Sequence, residues 1–362
     1  MALHNFTLTP GRINRFAGEI LAHAVPQETL SKGGRQVRMP KNSSDTYVAR
    51  RFLPFGATAT DGNTINRFFQ DNATASPGAD RGNLVVQAHQ TAEGVTPPPD
   101  SIIPQDIPVV MQQYSCLNGF TDKTFDLYED DIAGQMSIQV GERVTFVNEL
   151  ICHGALKAST NQWYGGSGVS RLTTNAPISL PMIRRIAKNL QANHCKPVNS
   201  MLKASGNYGT DAVAPGYSVY AMTDLEPDIR DLPGFIPVEK YATGTAMPNE
   251  IGKVERFRFI TSPDFPSIQN GGAAVGATNC QSLGGVNIDI YPFIVCGMDA
   301  WSQIAVRGKE SIDPTLMLPG EKSKSDPFGQ RGYAGCMWWK AVMIENNGWM
   351  AVGWVGTRNL TN

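Results

Sequence analysis

Apolar and polar residues recur along this chain with two different periods, and the places where the period switches mark out its elements. Between residues 129 and 159, Ile132, Met136, Val140, Val144, Val147, Ile151 and Ala155 repeat at steps of four or three, with Ile138, Phe146 and Leu150 widening the stripe. The spacing predicts one amphipathic helix, roughly 46 Å long at 1.5 Å per residue, a strut longer than a small domain needs. Glu129, Asp130 and Asp131 stand at its positive end and Lys157 in its last turn. A second helix is predicted from Leu180 to His194, with Ser179 as cap, Pro181 in the first turn, and Ile183, Ile186, Ala187 and Leu190 facing inward. Near the N-terminus Thr9 and Pro10 open a third, whose stripe is Ile13, Phe16, Ala17, Ile20, Leu21 and Ala24.

The rest reads as extended chain. MPKNSSDTYVARRFLPF (39–55) suits a long strand or a hairpin arm, and it is basic, with Lys32, Arg35, Arg38, Lys41, Arg50 and Arg51 in and around it. Residues 56–106 are dominated by Gly, Asn, Thr, Asp and Pro. So long a structureless loop is unusual inside a compact domain, and an arm that becomes ordered against a neighbouring copy resolves the difficulty. Residues 107–120 form a strand candidate rich in β-branched and aromatic side chains. Between 200 and 325 the short strands FRFIT, IDIYPFIV and QIAV alternate with turns, which predicts a separate α+β body. Two apolar runs, Cys336–Ile344 and Trp349–Val355, flank Glu345-Asn346-Asn347-Gly348 and predict a closing hairpin.

Composition narrows this picture. A chain of 362 residues with 41% hydrophobic side chains can bury a large core, while 17% charged residues, 36 glycines and 24 prolines point to a β-rich α+β class. The formal net charge is -1, which excludes a binder that works by neutralising many phosphates. Cys116, Cys152, Cys195, Cys280, Cys296 and Cys336 form no C-x-x-C pair and read as free, mostly buried thiols of a reducing cytoplasm. The N-terminus lacks the apolar core of a signal peptide and no run is long enough to span a bilayer, so no membrane partner is expected.

Candidate chemistry is sparse. Gly329, Gly332 and Gly335 precede a Trp-Trp strand instead of a helix, so they do not make a phosphate loop and are read as glycines that let backbone pack closely. Asp224, Glu226 and Asp228 have the alternate spacing of a calcium loop, but Ile229 and Phe235 occupy the positions that such a loop gives to Gly and Glu. Gly165-Gly166-Ser167-Gly168 reads as a flexible linker, since Val169 replaces the last glycine of a nucleophile elbow. His153 and His194 fall late in helices, where a cation suits the dipole. No set of residues supplies nucleophile, base and orienter together, so no enzyme, cofactor or metal is expected. A metal-dependent hydrolase using Asp224, Glu226 or Asp228 is the reading from another class.

GRINRFAGEILAHA, QVRMPKN, TAEGVTP, FTDKTFDLYEDDI, TDLEPDIRDLPGF, ERFRFITSP, DIYPFIV and DPFGQRGYAG together resemble tailed-phage major capsid proteins of the Hong Kong 97-type fold, in the branch typified by coliphage N-four. The resemblance implies an N-terminal arm (1–31), an extended β-hairpin loop (32–105), a peripheral domain (106–199 and 326–362, with its spine helix at 129–159 and closing hairpin at 336–355) and an axial domain (200–325). It implies self-assembly as hexamers and pentamers into an icosahedral shell around double-stranded DNA, which the chain would contact non-specifically. Portal, scaffolding and cement or decoration proteins are the implied partners, and the virion capsid, assembled in the host bacterial cytoplasm, is the implied location. Because the arm starts at residue 1, any scaffold is expected to be a separate or previously removed chain, and closure is expected to be noncovalent. A cellular nanocompartment shell of the same fold is the alternative. Charge placement proposes that Arg12, Arg15, Arg35, Arg38, Arg50 and Arg51 face carboxylates such as Asp126, Glu129, Asp130 and Asp131 across subunit boundaries.

Overall fold

The computed structural model describes residues 25–42, 44–52, 90–96, 102, 104–127, 131–202, 210–241, 246–276, 279–306, 314–320, 322, 324 and 326–360. The expected N-terminal helix, Arg12, Arg15, Glu129, Asp130 and most of the long loop lie outside them.

In chain order, β1 (Arg35–Met39), β2 (Thr46–Phe52), β3 (Pro104–Val110) and β4 (Gln112–Thr121) precede a short helix α1 (Asp122–Leu127) and the long helix α2 (Ile132–Lys157). β5 (Gln162–Tyr164), α3 (Leu180–Ala192), β6 (Val198–Leu202), β7 (Thr210–Met222), α4 (Glu226–Arg230), β8 (Phe235–Pro237), β9 (Glu250–Val254), β10 (Phe257–Ser262) and β11 (Tyr291–Cys296) follow. The chain ends through β12 (Trp301–Val306), β13 (Thr315–Met317), β14 (Arg331–Ile344) and β15 (Met350–Val355).

These strands make an eight-stranded sheet ordered β5-β15-β11-β7-β10-β9-β8 with β6 on β7, a five-stranded sheet ordered β1-β12-β14-β13 with β4 on β14, and a separate β2-β3 pair. In the larger sheet, β10, β11 and β15 are buried at every residue. That is why FRFIT and YPFIV read as unbroken apolar runs instead of alternating ones. One face is covered by α3, whose Ile183, Ile186 and Leu190 pack with Val219, Phe257 and Phe293. The other face meets Cys152 and Leu156 of α2 together with Leu30 and Trp301.

Helix α2 has 26 residues, about 39 Å at 1.5 Å per residue, and it bridges the two sheets. Its N-terminal half lays Met136, Val140 and Val144 on Cys116, Phe120, Cys336 and Trp338 of β4 and β14. In its C-terminal half the buried positions are Glu149, Cys152, His153 and Leu156, whereas Val147, Ile151 and Ala155 are only partly covered. The buried stripe rotates there because the helix passes from the smaller sheet to the larger one.

Five local expectations need correction. Ile344 and Met350 do not lead a hairpin: β14 pairs with β4, β12 and β13, and β15 pairs with β11 and β5. β14 is already paired along its whole length, and the Asn346–Trp349 turn carries the chain from one sheet to the other, tied down by Glu345 N–H and Asn346 N–H donating to Ala300 O at 2.9 and 3.1 Å. Ser179 stands at the start of α3 but makes no side-chain cap bond. Asn193 closes that helix, and His194 follows with φ of 54° while the His194 and Cys195 amides donate back to Gln191 O and Leu190 O, so its role is a backbone turn. His153 is buried against Phe265, ring centroids 5.0 Å apart, and burial lowers its pKa to about 4, so it is not the cation that the helix dipole would favour. The Gly165–Gly168 stretch is a packed turn: Gly165 N–H donates to Trp354 O at 2.8 Å, and Gly166 has φ of 70° against the Asn175 side chain.

Trp338 and Trp339 lie in one strand, β14, and face opposite ways. Trp338 is buried beneath α2, its indole N–H donating to Asn148 Oδ1 at 3.0 Å, and Trp339 packs with the Met39 and Ile304 cluster. Gly332 touches the face of Phe120, where an added Cβ would meet ring carbon at 2.4 Å.

Candidate functional site

The feature that organises the N-terminal side of the described chain is a buried carboxylate. Glu149 of α2 has no solvent exposure, and the extended segment ahead of β1 wraps onto it. Its Oε1 accepts from Thr29 N–H at 3.1 Å and Ser31 N–H at 2.8 Å, and its Oε2 accepts from Leu30 N–H at 3.0 Å and the Thr29 hydroxyl at 3.3 Å. The Ser31 hydroxyl donates to Oε1 as well. Three successive amides aimed at one carboxylate satisfy both partners in a place without water. Lys340 of β14, itself mostly buried, hydrogen-bonds the neighbouring Cys152 thiol and brings a positive charge close by. Burial nonetheless holds that thiol up at about 11.

The segment is gripped from its other side by Gln303 of β12, whose Nε2 donates to Ser31 O at 2.7 Å and Gly33 O at 2.9 Å. Gly34, with φ of 74°, lies against the Trp301 indole where an added Cβ would meet ring carbon at 2.8 Å. Beyond this point Arg35–Met39 joins β12 as a parallel strand. The trajectory of the N-terminal segment is thus fixed by α2, β12 and a glycine that no side chain can replace.

A second junction lies at the end of β14. Arg35 Nη2 is 2.9 Å from Glu345 Oε1, and Arg51 donates from Nη1 to the Glu345 carbonyl oxygen. Arg51 also donates to Gln105 Oε1 from Nε at 2.8 Å and from Nη2 at 2.6 Å. Arg50 forks onto Asp106, Nε to Oδ1 at 2.7 Å and Nη2 to Oδ2 at 2.9 Å, on the exposed side of the β2-β3 ladder. Arg35 and Arg51 therefore tie the segment and the strand pair to the chain's own body, while Arg50 ties β2 to β3. Arg38 is exposed in β1, Asp126 is exposed in α1, and Asp131 caps α2 by accepting Gly134 N–H at 2.9 Å. Glu149, Gln303, Asp106 and Glu345 were not singled out in the sequence. The one available signal was a lone Glu between Val147 and Leu150–Cys152 in an apolar stretch.

Of Asp224, Glu226 and Asp228, the last two are paired with cations of the chain. Asp228 accepts from the Thr357 hydroxyl at 2.9 Å, from Arg358 N–H at 3.1 Å and from the Arg358 guanidinium, while Glu226 pairs with Arg230 at 2.7 Å. Among the described residues no group of three or more His, Cys, Asp or Glu is placed to hold a metal ion. Apolar side chains remain exposed on two surfaces, Val48, Phe52 and Val110 on the β2-β3 pair, and Leu117, Met317 and Met337 on the face of the smaller sheet opposite α2.

No model of a known protein family matches the chain. The major capsid protein of Pseudomonas phage KPP21 is 21% identical over 262 residues, which is 67% of this chain and 65% of that relative, so the match spans less than two thirds of the relative's length. Among solved structures, the capsid of Ralstonia phage GP4 aligns over 98% of this chain and 97% of its own with a TM-score of 0.62 and 9% identity. The head structure of Helicobacter pylori bacteriophage KHP40 aligns over 96% and 95% with a TM-score of 0.57 and 11% identity. The capsid structure of cyanophage P-SCSP1u aligns over 96% and 93% with a TM-score of 0.55. These alignments run across nearly whole chains, and this protein has the Hong Kong 97-type α+β fold of phage capsid proteins.

Proposed function

We propose that this chain is the major capsid protein of a tailed bacteriophage, a non-enzymatic subunit that assembles into an icosahedral shell of hexamers and pentamers around double-stranded DNA. The observation that carries the reading is that sequence similarity to a major capsid protein over 67% of the chain coincides with fold similarity to a phage capsid over 98% of it. The near-neutral charge agrees with it, because a shell filled by a packaging machine does not need a basic coat. Exposed Val48, Phe52, Leu117, Met317 and Met337 supply apolar surface for contacts between copies. In this reading residues 1–31 are the arm, 32–105 the extended loop, 106–199 with 326–362 the peripheral domain and 200–325 the axial domain. The arginines at 12, 15, 35, 38, 50 and 51 and the carboxylates at 126 and 129–131 lie at or near subunit boundaries. Portal and scaffolding proteins are its partners, with cement or decoration proteins where the shell carries them, and it assembles in the host cytoplasm and resides in the virion.

Electron microscopy of the expressed chain and of native particles, with nuclease-protected nucleic acid measured in the same gradient fractions, tests this. Closed shells containing double-stranded DNA are expected. Shells filled with protein cargo would favour the nanocompartment alternative, and a chain that stays monomeric under every assembly condition would overturn both.

A further inference from the structure

The ladder between β14 and β4 places Cys336 directly opposite Cys116. Facing residues of an antiparallel pair have Cα atoms about 4.5–5.5 Å apart, within the roughly 4.4–6.8 Å that a disulfide spans. Both side chains point to the same side, since both are buried in the cluster under α2 that includes Phe120 and Trp338. All six cysteines are reduced in the structure. Cys195 and Cys296 are also neighbours, but they belong to clusters on opposite faces of the larger sheet and cannot meet without moving a strand.

We propose that Cys116 and Cys336 form an oxidation site, at which an intramolecular disulfide staples β4 to β14. The oxidant is a low-molecular-weight disulfide. One cysteine thiolate attacks it, forming a mixed disulfide and releasing one small thiol. The second cysteine, losing its proton, attacks the protein sulfur of that mixed disulfide and expels the second small thiol. Two protein thiols are oxidised and one small disulfide is reduced, with no atom left over. Access comes from the position of β4: among the described strands of its sheet it pairs with β14 alone, so separating it breaks one ladder, which takes less than global unfolding. In a reducing interior the pair stays as thiols, and in an oxidising medium it closes. The proposal stands on strand register and holds whether or not the chain builds a shell.

The test treats the full chain with oxidised glutathione, blocks remaining thiols with iodoacetamide, and maps peptides by mass spectrometry. The expected product is a Cys116 peptide joined to a Cys336 peptide, lighter than their sum by two hydrogens, reversed by reductant and accompanied by a higher unfolding midpoint. Cys336→Ser should abolish both the joined species and the midpoint shift, leaving Cys116 alkylated or glutathionylated. Repeating the wild-type reaction at a urea concentration below the unfolding transition removes access as an explanation for failure. If Cys116 and Cys336 still appear only as separate alkylated or glutathionylated residues there, or if either is joined to a different cysteine, the proposal is wrong.

Discussion

Replacing Glu149 tests the central structural claim, that one buried carboxylate fixes the path of the N-terminal segment. Glu149→Ala removes the acceptor for the amides of Thr29, Leu30 and Ser31 and for two hydroxyls. An amide left buried without a partner costs about 1–3 kcal/mol. Three of them would give roughly 3–9 kcal/mol if the segment stayed in place. It need not stay. Once the cost of staying exceeds the free energy of docking the segment, the segment peels off and its amides find water, so the penalty saturates. What remains of docking is the Leu30 side chain, about 2 kcal/mol of apolar burial, and the two Gln303 bonds at about 1 kcal/mol each. The expected loss in global stability is therefore about 3–5 kcal/mol. Glu149→Gln keeps one acceptor oxygen but turns an amide N–H₂ toward N–H donors, and should cost about 1–3 kcal/mol.

Two measurements read this out. Urea unfolding of the unassembled subunit gives the global term, and hydrogen exchange at residues 29–31 reports whether the segment has peeled. In the wild type those amides should exchange slowly, and in Glu149→Ala they should exchange at rates near those of free chain while β10 and β11 stay protected. On the proposed function, shell assembly followed by electron microscopy should fail or slow in Glu149→Ala, because residues 29–31 no longer hold a fixed path. If Glu149→Ala stays within about 0.5 kcal/mol of wild type, the scatter of ordinary surface substitutions, and residues 29–31 keep their protection, the carboxylate does not hold the segment and the reasoning fails.

The other outcomes are more local. The folded pKa of His153, about 4 against an ordinary 6.5, means that the unfolded chain binds a proton in that window and the folded one does not, so stability falls as pH drops from 6.5 towards 4. The full effect is roughly 3 kcal/mol, and His153→Phe should flatten the stability-against-pH curve there in urea titrations. Arg258 and Glu250 form a buried ion pair 2.9 Å apart, with Tyr241 O–H and Met247 N–H also donating to the carboxylate, so Arg258→Met should lose about 3–5 kcal/mol in the same assay. Arg50 lies fully exposed on its ladder, so Arg50→Glu should leave the melting curve of the subunit unchanged and, if the strand pair contacts a neighbouring copy, reduce shell yield on gradients. Gly332→Ala drives a methyl into the Phe120 ring and should cost about 1–3 kcal/mol by calorimetry.

Several elements were legible in the sequence because their signals are local. The α3 stripe, the continuous runs of β10 and β11 and the opposite facing of Trp338 and Trp339 follow from periodicities of 3.6 and 2 that neighbouring residues impose. Glu149 was not legible, because what makes it a buried acceptor is a segment 118–120 residues away in the chain, and nothing in the sequence near Thr29 announces it. The rotation of the α2 stripe was hidden for the same reason, since it depends on which sheet each half of the helix meets.

The failed hairpin shows where local reasoning breaks. Asn347-Gly348 flanked by two apolar runs is a strong hairpin signal only if both runs have a free edge. Here every residue of β14 is already paired, Arg331–Lys340 with β4, Tyr333–Gly335 also with β13, and Ala341–Ile344 with β12. β15 is instead held in the larger sheet between β11 and β5. The turn that would have closed a hairpin becomes the crossing between sheets, beside the Glu345 that binds Arg35 and Arg51. The same crossing that defeats the local signal therefore gathers the wrapped segment, the extended strand pair and both sheets at one point. Displacing that turn should change the direction of the two extensions together, which neither sheet could do alone.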